Sequence, residues 1–123
     1  MANNDRKTVK EQLDQGVNVD IETKKKRYTA LRFAAGYGRV EIAKELLERK
    51  ANVNHQNADG ETPLIVAAAN GWSNFFQVLL DHKADLSIRA TRGQDEGKTA
   101  LQVAAERKPA DLVHFLLTLA TNA

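Results

Sequence analysis

The stretch Thr62-Pro63-Leu64-Ile65-Val66-Ala67-Ala68 holds a helix start and a helix face in seven residues. A threonine hydroxyl caps a free backbone N–H, and a proline at the first helical position has no N–H to satisfy, so Thr62-Pro63 marks an N-terminus. From there Leu64, Ala67 and Ala68 fall on one face at helical spacing, and the small alanines let a neighbouring helix come close. A short inner helix is expected. After Gly71, the positions Phe75, Phe76, Leu79 and Leu80 give a second amphipathic helix, antiparallel to the first.

The same stretch recurs in both directions. Thr29-Ala30-Leu31-Arg32-Phe33-Ala34-Ala35 lies 33 residues before it and Thr99-Ala100-Leu101-Gln102-Val103-Ala104-Ala105 lies 37 residues after it. Leu46-Leu47, Leu79-Leu80 and Leu116-Leu117 recur at the same offsets, and Ala51-Asn52-Val53-Asn54 matches Ala84-Asp85-Leu86-Ser87. A helix pair that repeats in this way cannot bury its apolar face alone, so neighbouring pairs must stack.

The period of 33, the Thr-Pro-Leu opening, the paired alanines, Gly38 and Gly71, the paired leucines and the Ala-Asn-Val-Asn close together resemble the ankyrin repeat, over nearly the whole chain. The resemblance implies an all-α ankyrin-repeat solenoid of helix-turn-helix repeats joined by hairpin loops, about three repeats plus a partial N-terminal cap. It divides a single domain, 1–123, into a partial repeat at 1–23, repeats at 24–56 and 57–93, the latter with an extended finger, and a C-terminal capping repeat at 94–123. Asp5, Val9, Leu13, Gly16 and Val17-Asn18-Val19-Asp20 resemble the second helix and exit of a preceding repeat whose first helix is missing. That gap implies an atypical cap or a boundary just upstream of Met1-Ala2. The family histidine after Thr-Pro-Leu is replaced by Arg32, Ile65 and Gln102, and proline follows the threonine only at Pro63, so the first and third repeats depart from the pattern.

Composition agrees with one globular unit: 123 residues, 42% hydrophobic, 28% charged and 6% aromatic. Apolar runs such as Leu64 to Ala69 and Phe115 to Leu117 fall far short of the ~20 residues of a membrane span. No leader opens the sequence, so a cytoplasmic location is expected of it as it stands, and a secreted or periplasmic one if a signal has been removed. There are no cysteines, which excludes disulfides, thiolate nucleophiles and Cys-based zinc sites. The net charge of +2 is uneven: residues 1–50 carry 12 basic and 8 acidic groups, residues 51–123 carry 6 and 8. Most of the excess sits in Lys24-Lys25-Lys26-Arg27.

Catalytic chemistry finds no footing. His55, His82 and His114 stand 27 and 32 residues apart with no metal-ligand spacing, and Ser73 and Ser87 are the only serines. No glycine-rich phosphate loop is present. No cofactor, metal or enzymatic activity is therefore expected. Phe75 and Phe76 match Ile42-Ala43 and Leu112-Val113 as core, and Phe33 and Phe115 are read the same way. Trp72 follows the inter-helix glycine, at the helix-turn-helix edge, where Arg39 and Pro109 are its counterparts.

In a stack of this kind the resemblance places partner contacts on the fingers and the inner-helix face. The fingers are 24–28, 57–61 and 89–98, the third longer by four residues, and loops on a rigid scaffold concentrate binding residues. The candidate partner-binding residues are Lys25, Lys26, Tyr28, Tyr37, Arg39, Asp59, Glu61, Asn70, Trp72, Arg89, Arg92, Lys98 and Arg107. Within this set Tyr28, Tyr37 and Trp72 are read as one group of large contacts ringed by charge. The expectation is a non-enzymatic protein-binding module, in a sharper form an inhibitor or immunity-type regulator of a partner enzyme. The alternative is a polyanion binder, for nucleic acid or phosphoinositide, through Lys24 to Arg27. The mixed charge of the later fingers disfavours nucleic acid. Self-association through the uncovered N-terminal edge is a further expectation.

Overall fold

The computed structural model describes residues 6–107 and 110–122. Asp5, Met1-Ala2 and Pro109 lie outside the described residues. Among those described there are seven helices and no strand: α1 (Arg6–Asp14), α2 (Ala30–Tyr37), α3 (Val40–Glu48), α4 (Pro63–Asn70), α5 (Ser73–Asp81), α6 (Ala100–Arg107) and α7 (Ala110–Asn122). They form two rows. The inner row runs α2, α4, α6 and the outer row runs α1, α3, α5, α7, with each helix packed on the next in its row and each inner helix on its own outer partner.

Local chemistry sets the helix ends. Thr29, Thr62 and Thr99 each accept a hydrogen bond at Oγ1 from the amide three residues on, at 3.2 to 3.3 Å. Gly38 and Gly71, at φ 69° and 74°, end α2 and α4 in the left-handed region that glycine enters without penalty. The core lies between the rows. Phe75 and Phe76 are fully buried there with Leu46, Leu64, Ile65 and Leu79, each such side chain contributing about 1.5–3 kcal/mol through removal from water. Phe115 packs edge-on to Phe76.

Phe33 departs from the sequence reading. It is 43% exposed, whereas its counterparts Val66 and Val103 are buried. The reason is positional: α2 and α4 cover the latter two, and among the described residues no inner helix packs on that side of α2.

A polar link between repeats is made in the loops that follow the outer helices α1, α3 and α5. Asn18, Asn52 and Asp85 each accept at Oδ1 from the amide two residues on, at 2.8 to 3.0 Å. The next acidic or amide side chain then reaches across: Asp20 Oδ1 accepts from the Asn52 amide at 2.9 Å, and Asn54 Oδ1 from the Asp85 amide at 2.8 Å. The outer row adds charge. Arg6 of α1 donates to Glu41, Glu45 and Glu48 of α3, and Arg49 bonds both Asp14 and Glu45.

Candidate functional site

The fingers stack by backbone bonds. The Ala58 amide donates to Lys26 O at 2.9 Å, and the Thr91 and Arg92 amides donate to Asp59 O at 2.9 and 3.1 Å. This close approach needs Gly60: at φ 75°, a Cβ there would stand 2.6 Å from the Thr91 nitrogen. The four-residue extension thus folds back over the second finger. Asp95 within it is only 5% exposed and takes both its oxygens to Arg107 Nη2, at 2.9 and 2.7 Å.

The fold-back walls a polar cleft of about 300 Å³ between fingers and inner helices. Tyr28, Arg32, Asp59, Glu61, Asn70, Arg92, Gln94, Asp95 and Arg107 line it. Three guanidiniums meet three carboxylates, so the cleft is close to neutral but strongly polar. Arg107 is spent on Asp95. Arg32 stacks over the Tyr28 ring at 4.3 Å and comes within 3.9 Å of Glu61, while its Nε is buried with no hydrogen-bond partner. Among the described residues the Arg92 guanidinium and the Asp59 carboxylate have no side-chain partner, so they are the charges open to a ligand.

The expected site residues therefore separate into five groups. Tyr28, Asp59, Glu61, Asn70, Arg92 and Arg107 come together in the cleft. Tyr37 and Arg39 instead line an apolar groove at the N-terminal edge, with Val9, Phe33 and Ile42. Trp72 belongs to neither: its ring lies against Gly38 and its Nε1 donates to Gly36 O at 3.4 Å, so much of it is used in joining the first two repeats. The three large aromatics do not form one group. Arg89 holds Gly97 O and Gln102 Oε1, and Lys98 holds Glu106 at 2.6 Å, so both brace the third finger. Lys25 and Lys26 are exposed on the first fingertip, while Arg27 beside them pairs with Glu22.

Sequence reasoning passed over Arg32 as a binding residue, reading it only as the replacement for a histidine. Its signal was its place three residues after the Thr29 cap, one turn along the inner helix. The histidines take supporting roles: His55 bonds Glu22, whose carboxyl it holds below the usual carboxylate range, and His82 Nδ1 meets Val78 O at 2.9 Å. No cluster of metal-ligating side chains occurs among the described residues, and no helix there is long and apolar enough to cross a membrane.

A family model for ankyrin repeats (3 copies) matches residues 1–90 and 49–123. Ankyrin repeat and KH domain-containing protein 1 of Homo sapiens is 44% identical over 87 residues, which is 71% of this chain and 3% of that protein. Ankyrin repeat and KH domain-containing protein mask of Drosophila melanogaster is 41% identical over 98 residues, 80% of this chain and 2% of that protein. Neurogenic locus notch homolog protein 1 of Mus musculus is 37% identical over 101 residues, 81% of this chain and 4% of that protein. The chain thus spans only a few per cent of the length of these relatives.

Proposed function

The chain belongs to the ankyrin-repeat family, and from that premise we propose that it is a non-enzymatic module that binds a segment of a partner protein in the cleft between its fingers and inner helices. Ankyrin repeats generally serve as protein–protein interaction modules. The observation that carries the proposal is the preformed polar cleft, in which Arg92 and Asp59 stand open beside the stacked Tyr28 and Arg32. Bracing of its wall by Arg107 and Asp95 lowers the ordering cost of binding, which favours affinity. Affinity capture with the wild-type chain and with Arg92→Glu combined with Asn70→Ala tests it. Loss of captured protein in the double variant supports the cleft; equal capture rejects it.

A sharper form is that the partner is an enzyme and that the module masks it, as an immunity protein does. A rigid, preformed surface suits that task. It requires that the captured partner lose activity on titration with this chain and regain it with the double variant.

The exposed Lys24, Lys25 and Lys26 support a second reading, polyanion binding through the first finger. That reading demands affinity for nucleic acid or anionic vesicles that falls steeply with salt and depends on those lysines. The pairing of Arg27 with Glu22 and the acidic Asp59 and Glu61 of the next finger weigh against it.

A further inference from the structure

The cleft balances its charges but not its hydrogen bonds. Its residues come from the three fingers and from α2, α4 and α6, so the stacking of repeats builds it, with the second repeat in the middle. Most of its carboxylate acceptors are already used. Glu61 Oε1 accepts from Asn57 Nδ2 at 2.9 Å, and both oxygens of Asp95 accept from Arg107. Asp59 gives its backbone N–H and O to the fingers, and its carboxylate has no partner among the described residues.

The donors are in surplus. A guanidinium carries five N–H groups and no acceptor. Among the described residues the Arg32 guanidinium makes no hydrogen bond. It lies over the Tyr28 ring, the Glu61 oxygen is 3.9 Å away, and its Nε is buried without a partner. The Arg32 side chain is still 21% exposed. Arg92 spends its backbone amide on Asp59 O, and its side chain has no partner among the described residues. Donors left unpaired in this way are costly, so what the cleft lacks is an acceptor.

The surrounding charge selects the acceptor. Asp59, Glu61 and Asp95 line the same cleft, so a doubly charged phosphate meets like charges there, whereas a carboxylate brings a single charge. The two oxygens of a carboxylate also match the planar fork of a guanidinium. Resting on the reading of the cleft as a protein-binding site, we infer that its ligand is a segment carrying an aspartate or glutamate side chain, seated between Arg32 and Arg92. Asn70, whose Nδ2 donates to Val66 O at 3.0 Å, keeps its Oδ1 for a backbone N–H of that segment. Arg92 also borders a second hollow, beside His55 and Gln56, which Arg32 does not reach. Dependence on both arginines is therefore what locates the acid in the cleft.

The test selects short random peptides, displayed on phage, against the intact wild-type chain. Enriched peptides are then synthesised and titrated against the wild type, Arg32→Gln, Arg92→Gln and Asn70→Ala. The peptides are expected to share one acidic position. Kd should rise about ten-fold with either arginine substitution, or with the amide in place of the acid in the peptide. Phosphoserine at the acidic position should bind more weakly than the acid. Arg92 is exposed, so Arg92→Gln should keep the helical circular dichroism of the wild type; Arg32→Lys, which keeps the charge without the fork, is the second variant at the partly buried site. Peptides weakened by Asn70→Ala that carry no acid, or that ignore both arginines, overturn the inference and leave the cleft as a protein-binding site. Loss with Arg92→Gln alone places the acid in the second hollow and also overturns it, as does tighter binding of phosphoserine. No enrichment, or peptides indifferent to every cleft substitution, rejects the inference together with the reading on which it rests.

Discussion

Arg107 at the end of α6 holds both carboxylate oxygens of Asp95 in the third finger, 2.9 and 2.7 Å from one terminal nitrogen. Through that contact the longest loop becomes a fixed wall of the cleft. A double-mutant cycle with Arg107→Ala and Asp95→Ala should give a coupling of about 1–2 kcal/mol in urea unfolding. Amide exchange at Arg92 and Gly97 should quicken in each single variant while Leu64 and Leu79 stay protected. A coupling near zero would show that the finger is held by other means.

Gly60 is the second support of that wall. Gly60→Ala forces a left-handed residue with a Cβ into the Thr91 backbone, and should cost about 2–3 kcal/mol. The loss should appear as a lower urea midpoint with an unchanged slope. Tolerance of the substitution, with the Thr91 amide still protected, would mean that the fingers do not stack as described.

The junction of α1 with α3 should be acid-sensitive. The hydrogen bond from Arg6, with a second from Arg49, holds the Glu45 carboxyl below the usual carboxylate range, and the bond from Arg49 does the same for Asp14. Such groups bind protons less readily folded than unfolded. Their stabilisation is complete above the ordinary carboxylate range and is lost as pH falls through the depressed values. The α1 amides should therefore lose exchange protection below about pH 4 while α4 keeps its own, and Glu45→Gln should flatten that dependence. Parallel loss in α1 and α4 would contradict this.

Trp72 contributes to repeat stacking more than its exposure suggests. Trp72→Ala should cost about 2 kcal/mol by removing the ring from Gly38, and Trp72→Phe about 0.5 kcal/mol, the worth of its one N–H bond. Partner capture by Trp72→Phe should be unchanged. A selective loss of capture with full stability would return Trp72 to the binding surface.

Much of the fold was legible because it depends on short-range chemistry. A threonine cap, a proline at the first helical position and a glycine at the end declare a helix whatever surrounds it, and three copies declare a stack. What could not be read depends on neighbours. Phe33 has the sequence setting of a core residue, yet it is half-exposed because among the described residues no inner helix packs on that side of α2. Arg89, Lys98 and Arg107 look like free surface cations until the third finger folds back and uses them. Tyr28, Tyr37 and Trp72 fall in three places because one faces the fingers, one the open end and one the turn of the preceding repeat. Arg32 gains its weight from the Tyr28 ring beneath it and from Glu61 of the second finger.

The central claim is that the cleft side of the stack, and not the outer row, meets a protein partner. Photo-crosslinking in cells that express the chain tests it most directly, with a benzophenone side chain placed in turn at Asn70 and Gln94 in the cleft and at Lys44 and Gln77 on the outer helices. The account predicts a discrete crosslinked protein from Asn70 and Gln94 and none from Lys44 or Gln77. Crosslinks from the outer positions with none from the cleft would contradict it.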